Sequence, residues 1–265
     1  MNLQQAEEPI LERHQRVLED QIFQIRTKWP EFEPLLRTLR EIGASLQGNE
    51  VIIDLGRYYV YDGCCLFAPY FAKARQYIGA DCILPNWKEV YGYQKWMVED
   101  KNLIRVLPKV VTDVATLPFR SEVADWVLIP NIVEHVQEPE AMFREALRVL
   151  RKGARGFVFA PHVREEHQPP YDYFRYTRYG LRHLFEKVGF QVESITPTTG
   201  IFDVLSKTTM LALEFLPPRR RKVAGLFFEK LIKPVLWKCD RLYQRNLVTQ
   251  GKEFPMAYVS LLRKP

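Results

Sequence analysis

Residues 110–160 have the sequence VVTDVATLPFRSEVADWVLIPNIVEHVQEPEAMFREALRVLRKGARGFVFA, in which three apolar runs alternate with polar or amphipathic stretches. The runs are Val110-Val111, Trp126-Val127-Leu128-Ile129 and Gly156-Phe157-Val158-Phe159-Ala160. Continuous apolar runs of this length predict strands that are covered on both faces, as in a parallel sheet.

Helical periodicity appears after the second and third of these runs. One predicted helix has an apolar face and stops near Gly153; its face is Met142, Phe143, Ala146, Leu147 and Leu150. A second predicted helix has Thr177 as N-cap and Gly189 just beyond its end. Its apolar face is Leu181, Leu184, Phe185 and Val188.

The alternation extends through most of the chain. Further strands are predicted around 51–53, 76–82, 190–195 and 255–262, which favours a doubly wound α/β fold with a mostly parallel sheet. Helical patterns before and within this domain predict three parts. They are an N-terminal helical cap (1–48), the α/β domain (49–204 and 252–265) and a basic helical insertion before the last strand (205–251).

Composition excludes several classes of protein. The chain has 265 residues, 47% of them hydrophobic, so it can build a large core and is neither collagen-like nor largely disordered. Its four cysteines show no metal-ligand or redox spacing, so we predict buried thiols in a reducing compartment and no metal site. The start of the chain does not resemble a signal peptide, and the expected location is the cytoplasm.

The net charge of +6 is concentrated in one segment. Residues 217–245 carry nine basic and two acidic side chains, a net +7, and the rest of the chain sums to −1. Any electrostatic argument about partners therefore concerns this segment alone.

Acidic residues stand at the ends of three predicted strands. Asp54-Leu55-Gly56 ends the first, Asp81 ends the second, and Asp113-Val114 follows the third. Ligands of open parallel sheets bind at the carboxyl ends of strands, where such acids accept hydrogen bonds from ribose hydroxyls or an adenine amine. Asp81 lies 25 residues after Gly56, near the spacing expected of a ribose-binding acid.

Four blocks in sequence resemble the class I S-adenosylmethionine-dependent methyltransferases, and most closely their broad small-molecule group. The blocks are 111–119 (VTDVATLPF), 124–128 (ADWVL), 133–136 (VEHV) and 143–153 (FREALRVLRKG). The resemblance covers roughly residues 50–198 and implies a Rossmann-like methyltransferase fold with S-adenosyl-L-methionine as cofactor. Residues 171–177 (YDYFRYT) are also similar to a subset of these enzymes.

The resemblance assigns roles by position. It implies that Asp81 binds the cofactor ribose, that Asp113 and the Val114 backbone hold the adenine, and that Asn131 and Ile132 line the methionine end. Asp54 and Gly56 match the acid and first glycine of the cofactor loop. Glu134 and His135 belong to the family's pattern, and we interpret them as opening and stabilising a helix.

The cofactor loop departs from the family pattern after Gly56. The pattern has three glycines at alternate positions, whereas Tyr58 occupies the second position here. A bulky side chain there obstructs the approach of the backbone to the cofactor. Three interpretations are open: the loop takes another course through Gly63, binding is weakened, or binding is lost.

Candidate catalytic residues follow the fifth strand. His162, and Asp172 or Tyr173, are the candidate bases for an oxygen or nitrogen acceptor. A loop role is the alternative for His162. Arg175 either clamps an anionic substrate or pairs with Asp172.

Residues 217–245 combine basic side chains with an apolar helical face and a proline, Pro234. Such a kinked basic amphipathic helix is typical of an interfacial helix on an anionic membrane. The alternative is a surface helix that packs its apolar face on its own domain. The segment has no nucleic-acid-binding motif, so nucleic acid is the least favoured partner.

The sequence therefore predicts S-adenosylmethionine-dependent methyl transfer to a small-molecule, lipid or glycan acceptor. The protein is expected in the cytoplasm or at the inner face of the membrane. The alternative function is a catalytically inactive methyltransferase-like binding or scaffold protein.

Overall fold

A sheet forms the centre of the molecule in the computed structural model, which describes residues 32–56, 70–82, 110–247 and 253–265. Its strands are β1 (Val51–Leu55), β2 (Gln76–Asp81), β3 (Val110–Val111), β4 (Ala124–Pro130), β5 (Leu150–Pro161), β6 (Gln191–Pro197) and β7 (Ala257–Arg263). Within the described ranges the seven strands lie in the order β3-β2-β1-β4-β5-β7-β6. Strand β7 is antiparallel to β5 and β6, and the other pairs are parallel. The predicted doubly wound, mostly parallel sheet is confirmed.

Helices occupy both faces of this sheet and the segment before β7. They are α1 (Phe32–Ser45), α2 (Pro139–Val149), α3 (Arg178–Val188), α4 (Ile201–Glu214), α5 (Pro218–Phe227) and α6 (Lys233–Leu247). A 3-10 turn (Val133–His135) follows β4, and a π-helical turn (Phe228–Ile232) joins α5 to α6. Residues 1–31 of the predicted N-terminal cap lie outside the described residues.

Successive residues of the central strands point to opposite faces, and each face has its own apolar cluster. Ile52 and Leu128 lie in one cluster with α1, where the Phe32 and Phe159 rings stack at 5.3 Å. The other cluster combines strand residues with α2 and α3, and its members include Ile53, Val127, Met142, Phe143, Leu181 and Phe185. This double coverage explains why the strand sequences are apolar without alternation.

The two ends of α3 agree with the predicted caps. The Thr177 hydroxyl accepts the backbone N–H of Gly180 at 3.0 Å, and Gly189 adopts a φ of 110°. Left-handed backbone is easily reached by glycine because it has no Cβ. Both predicted caps are confirmed.

The predicted end of α2 was wrong by several residues. The helix ends at Val149, and the next residue, Leu150, is extended and pairs with Ala124 of β4. Leu150 is fully buried, so its place in the apolar periodicity reflects burial in the sheet rather than the helix. Gly153 is therefore a residue of β5, with a φ of 75°.

Helices α4, α5 and α6 form the connection between β6 and β7. Asp240 of α6 is buried and accepts the backbone N–H groups of Gly200 (2.8 Å) and Phe202 (3.0 Å) at the start of α4. A carboxylate at this position satisfies unpaired amides of the first helical turn and opposes the positive end of the helix dipole. The base of the helical connection is thus fixed by one long-range contact.

Candidate functional site

A cleft of about 730 Å³ opens at the carboxyl ends of β2, β3 and β4. We call its two sides the β2 wall (Asp81, Cys82, Asp113, Val114) and the β4 wall (His135, Gln137, Gln168, Tyr171, Tyr173). The strand order reverses between β1 and β4, and ligands of open α/β sheets bind at such a switch point.

Asp81 and Asp113 hold the β2 wall through local hydrogen bonds. Asp81 is the last residue of β2 and is buried, and its Oδ1 accepts the Cys82 N–H at 2.7 Å. Asp113 follows β3, and its Oδ1 accepts the Ala115 N–H at 2.8 Å. These two bonds fix both carboxyl groups at the rim of the cleft.

Cys82 and Val114 complete this wall. Val114 is buried and gives the cleft an apolar surface beside Asp113. The Cys82 side chain is exposed, so the prediction of buried thiols is wrong for this residue. Partial desolvation by its neighbours, together with the Asp81 carboxylate, still raises the pKa of the thiol to about 11. The β2 wall therefore contains two acids, one protonated thiol and an apolar contact surface.

Asp54 and Gly56 lie behind the cleft rather than among its described lining residues. Asp54 is completely buried, and the Tyr77 hydroxyl donates to its Oδ2. Gly56 has a φ of 79°, and a Cβ there would lie 2.7 Å from Ile132 Cδ1. Since Ile132 lines the cleft, the absence of a side chain at Gly56 allows β1 and the turn after β4 to approach each other.

Asn131 supports the turn after β4. It has a φ of 54°, its backbone N–H donates to Phe159 O at 3.1 Å, and its Oδ1 accepts from Arg164 Nη1 at 3.1 Å. Asn131 is buried and is not among the described residues that line the cleft, whereas the next residue, Ile132, is.

Of the three candidate catalytic residues, the structure brings Tyr173 to the cleft. The Tyr173 hydroxyl accepts a hydrogen bond from Gln137 Nε2 at 2.8 Å. The backbone N–H of Tyr173 donates to Glu134 O at 2.8 Å, which ties this loop to the turn after β4. Tyr173 thus stands opposite Asp81 and Asp113 as part of the β4 wall.

Asp172 is occupied by protein partners. Arg175 donates to both of its oxygens, at 2.6 and 2.7 Å, and the His167 N–H donates to Oδ2 at 2.9 Å. Burial opposes ionisation, but Arg175 and His167 lower the pKa of Asp172 to about 2. Of the two alternatives for Arg175, the structure has the pairing with Asp172.

His162 lies apart from the described lining of the cleft. Its ring centroid is 5.6 Å from that of Tyr258 and 6.2 Å from that of Phe254, and its backbone N–H donates to Met256 O at 2.7 Å. Burial lowers the pKa of His162. Among the described candidates, the structure therefore brings together Asp81, Asp113, Val114 and Tyr173.

The sequence interpretation missed a cluster formed by Glu134, His135 and His167. Glu134 and His135 belong to the 3-10 turn after β4, and His167 comes from the loop between β5 and α3. Glu134 Oε1 lies 3.7 Å from the Nε2 atoms of both histidines. The acid–histidine pair directly after a strand was the visible signal, but no spacing rule connects it to a histidine 32 residues later.

The cluster is unusual in its burial. Burial alone would raise the pKa of Glu134. The neighbouring His167, His135 and Arg164 side chains outweigh this effect and lower that pKa. Burial lowers the pKa of His135 and so favours its neutral imidazole. A charged carboxylate and a neutral imidazole therefore lie side by side at the edge of the β4 wall.

Part of the predicted cofactor loop cannot be placed. Arg57 to Gly63, including Tyr58, lies outside the described residues, as do Cys64 and Cys65. The three interpretations of this loop stay predictions.

Comparisons with known proteins agree with this geometry. Residues 63–158 match the model of a methyltransferase domain family. No curated protein sequence matches the chain significantly.

Among solved structures, the candidate methyltransferase in complex with the Haloferax volcanii Trm112 methyltransferase activator is 16% identical. That match covers 100% of this chain and 98% of the other, with a TM-score of 0.50. The Mesorhizobium loti S-adenosylmethionine-dependent methyltransferase is 13% identical over 88% of this chain and 97% of its own, with a TM-score of 0.48.

A third structure is the Haemonchus contortus phosphoethanolamine N-methyltransferase 2 in complex with phosphomonomethylethanolamine and S-adenosylhomocysteine. It is 14% identical over 87% of this chain and 52% of its own, with a TM-score of 0.47. At 16% identity, the match to the structure from Haloferax volcanii supports the fold alone.

Proposed function

We propose that the chain, whose residues 63–158 match a methyltransferase domain family, is a class I S-adenosylmethionine-dependent methyltransferase that transfers a methyl group to an acceptor held against the β4 wall. The single observation that carries the proposal is the cleft at the switch point, with Asp81 and Asp113 on one side and Tyr173 on the other. The acceptor we propose is a small molecule or a lipid or glycan head group.

The β2 wall fits S-adenosylmethionine. A buried acid at the end of β2 suits the two ribose hydroxyls, and Val114 with Asp113 offers an apolar surface and an acceptor for the adenine. The volume of about 730 Å³ lies within the range of cofactor pockets, roughly 300–1,000 Å³. Gly56 and Asn131 support this side of the cleft through the Ile132 turn.

Methyl transfer requires little chemistry from the chain itself. The bound cofactor supplies a methyl group that is already activated on a sulfonium, so positioning of the acceptor provides much of the rate acceleration. Tyr173 can orient an acceptor, because its hydroxyl accepts from Gln137 and keeps its own proton to donate. With a pKa of about 2, Asp172 is a weak base, and its contacts favour a role in holding the 167–175 loop.

Titration calorimetry with S-adenosylmethionine and S-adenosylhomocysteine tests the proposal directly. We expect saturable binding of one molecule per chain, with micromolar dissociation constants. If neither compound bound at millimolar concentration, the enzyme proposal would fail and the inactive scaffold alternative would replace it.

We also propose that the acceptor lies at an anionic membrane surface and that α5 and α6 contact that surface. None of the described helices has the length and apolar run needed to span a membrane. Large apolar side chains of this region are nevertheless exposed: Val223, Leu226, Phe227, Leu231, Ile232, Val235, Trp237 and Leu242. Their exposure argues against the alternative in which the apolar face packs on its own domain.

The positive charge of α5 and α6 favours a surface of anionic lipid as the partner of these exposed side chains. Four basic residues open α5, from Arg219 to Lys222, and all are exposed. On α6 the Arg241 guanidinium lies 3.7 Å from the centre of the Trp237 ring. Each basic side chain near an anionic bilayer contributes about 1 kcal/mol, and apolar side chains add insertion energy.

Vesicle co-sedimentation tests this surface. We expect the protein to bind vesicles of phosphatidylcholine and phosphatidylglycerol (3:1), and the triple variant Arg219→Glu, Arg220→Glu, Arg221→Glu to bind them at least about 10-fold more weakly. A matched control reverses three exposed charges elsewhere, in Arg37→Glu, Arg120→Glu and Lys152→Glu. Equal loss in both variants, or equal binding to vesicles of phosphatidylcholine alone, would refute a specific anionic surface.

A further inference from the structure

The Glu134–His135–His167 cluster brings three ligand atoms together at the edge of the cleft. Each residue offers one ligand atom, and these atoms lie within 4.8 Å of one another; Glu134 Oε1 is 3.7 Å from His135 Nε2 and from His167 Nε2. The Glu134 side chain is 0% exposed, and those of the two histidines are 9% and 14% exposed. The three atoms therefore face one another with little contact with solvent.

The outer nitrogens of both histidines are held by oxygen acceptors. His135 Nδ1 lies 2.6 Å from Tyr171 O, and His167 Nδ1 lies 3.2 Å from Glu165 O and 3.4 Å from Asp172 Oδ2. A carbonyl oxygen can only accept, so each Nδ1 carries the proton. In the neutral tautomers both Nε2 atoms then direct a lone pair towards Glu134.

The atoms that face one another in the cluster are the two Glu134 carboxylate oxygens and the Nε2 atoms of both histidines. Within the described part of the chain, no geometrically formed hydrogen bond reaches either Glu134 carboxylate oxygen or the Nε2 atom of His135 or His167. The Arg164 guanidinium contributes positive charge nearby, but its Nη1 donates to Asn131. A buried carboxylate beside two imidazole nitrogens costs several kcal/mol unless a proton on one Nε2 or a metal cation lies between them.

We propose that Glu134, His135 and His167 bind one divalent transition-metal ion of the Zn²⁺ class. Two imidazole nitrogens and one carboxylate suit such ions, and the acceptors on both Nδ1 atoms are the outer contacts that orient histidine ligands. Metal–ligand bonds of about 2.0–2.2 Å place neighbouring donors roughly 3–3.5 Å apart. The two observed carboxylate–imidazole separations of 3.7 Å exceed this range by a few tenths of an ångström, and the two histidine ligand atoms, within 4.8 Å of each other, would approach further on binding.

The site adjoins the β4 wall. His135 itself lines the cleft, and Tyr171, whose carbonyl orients His135, lines it as well. Three protein ligands leave at least one coordination position for a water or an acceptor oxygen. That an acceptor oxygen takes this position rests on the proposed methyl transfer, whereas metal binding does not.

Cobalt titration of the full-length protein, freed of metal by chelation and without a histidine tag, tests the site. We expect visible absorption bands that saturate at one Co²⁺ per chain and are abolished by competing Zn²⁺. His167→Gln and Glu134→Gln should each weaken Co²⁺ binding by about 10- to 100-fold or more, since each removes a ligand. The matched control is His183→Gln, an exposed histidine of α3, which should bind Co²⁺ as the unchanged protein does.

Two further measurements distinguish loss of metal binding from loss of folding and from loss of cofactor binding. Circular dichroism melts show whether each variant is folded, and Zn²⁺ should raise the melting temperature of the unchanged protein but not of His167→Gln. Calorimetry with S-adenosylhomocysteine tests the cofactor site separately, so failure of either proposal leaves the other measurable. The metal site is wrong if folded protein shows no saturable Co²⁺ binding at millimolar concentration, or if the ligand variants bind as the His183→Gln control does.

Discussion

In the β2 wall, Asp81 and Asp113 each accept a backbone N–H from a residue one or two positions later. Beside the β4 wall, Asp172 is bound by Arg175 and His167, and Glu134 lies between two histidines. The first pair of acids is positioned by strand ends and local turns. In the second pair, Glu134 is positioned by contacts with a loop about 30 residues later in the chain, whereas Asp172 pairs within that loop with Arg175 and His167, three and five residues away.

This difference suggests different roles for the two pairs of acids: the first pair can bind a ligand, and the second pair stabilises the loop of the β4 wall. Acids held by local turns stay at the rim of the cleft and can bind a ligand with little effect on the fold. Acids whose oxygens are bound by arginine or lie against histidine side chains, as Asp172 and Glu134 do, stabilise the loop that forms the opposite wall. Substitutions in the two walls should therefore affect different measurements, ligand affinity for one and stability for the other.

The largest expected effect comes from Gly56→Ala. A side chain there requires left-handed backbone and contacts Ile132, so we expect the free energy of unfolding to fall by about 2–4 kcal/mol, with weaker S-adenosylhomocysteine binding. Urea denaturation and calorimetry measure the two effects. Gly153→Ala is the control, since it has the same backbone strain (φ 75°) with open space around it, and it should lose about 1–2 kcal/mol. Equal losses would show that the contact with Ile132 is unimportant.

Asp81→Ala should affect affinity and leave the fold intact. Loss of charge-assisted hydrogen bonds to ribose hydroxyls is worth about 2 kcal/mol, which is roughly a 30-fold rise in the dissociation constant of S-adenosylhomocysteine. Gln137→Ala in the β4 wall is the matched control and should bind S-adenosylhomocysteine normally. Unchanged affinity in Asp81→Ala would disprove the assignment of the β2 wall to the cofactor.

Asp172→Asn should show the opposite behaviour. Removing the charge leaves Arg175 without its carboxylate partner, so we expect a loss of about 1–2 kcal/mol in stability with S-adenosylhomocysteine affinity unchanged. The comparison variant is Glu186→Gln, which breaks an exposed i,i+4 pair with Arg182 and should change stability by less than about 0.5 kcal/mol. If Asp172→Asn weakened cofactor binding as much as Asp81→Ala, the separation of the two walls would be wrong.

The smallest effect concerns the reactivity of Cys82. Partial desolvation and the Asp81 carboxylate raise its pKa to about 11, and the thiolate is the reactive form. Alkylation by iodoacetamide at pH 8 should therefore be about 10- to 100-fold slower than for an ordinary thiol, and its rate should increase with pH up to about 11. Peptide mass spectrometry follows this residue alone, and S-adenosylhomocysteine should protect it. Rapid alkylation at pH 8 with no protection by ligand would place Cys82 away from the cofactor.

The sequence predicted the β2 wall because its residues follow directly from strand ends. Once β2 and β3 are placed as neighbouring parallel strands, Asp81 and Asp113 must lie at the same edge of the sheet. The same reasoning predicted that His162, which follows β5, lies at the cleft. In the structure the backbone of His162 and Val163 bonds to Met256, just before the antiparallel β7, and the His162 ring lies against Tyr258.

The β4 wall could be predicted only in part. The acid–histidine pair after β4 was visible, but its burial and its approach to His167 depend on how the 162–177 loop folds back over the turn. That path is set by contacts such as Tyr173 N–H to Glu134 O and Tyr176 N–H to Pro161 O, which have no periodic signature in the sequence. For Arg175 the sequence left two alternatives, an ion pair with Asp172 or contact with an anionic substrate. Local spacing alone does not show which of these the guanidinium binds.

The helical connection leaves and rejoins the sheet at neighbouring points. Pro197 of β6 pairs with Tyr258 of β7, and the Thr198 N–H donates to Ala257 O at 3.0 Å. In topological terms, the whole of α4, α5 and α6 is an enlarged hairpin loop, and the free-energy cost of such a loop grows only slowly with its length. A lineage could therefore lengthen, shorten or exchange this loop without altering the strand register that builds the cleft. If α5 and α6 bind a membrane and the cleft binds the acceptor, as we propose, membrane contact and methyl transfer lie in separate parts of the fold, and each can change while the other is conserved.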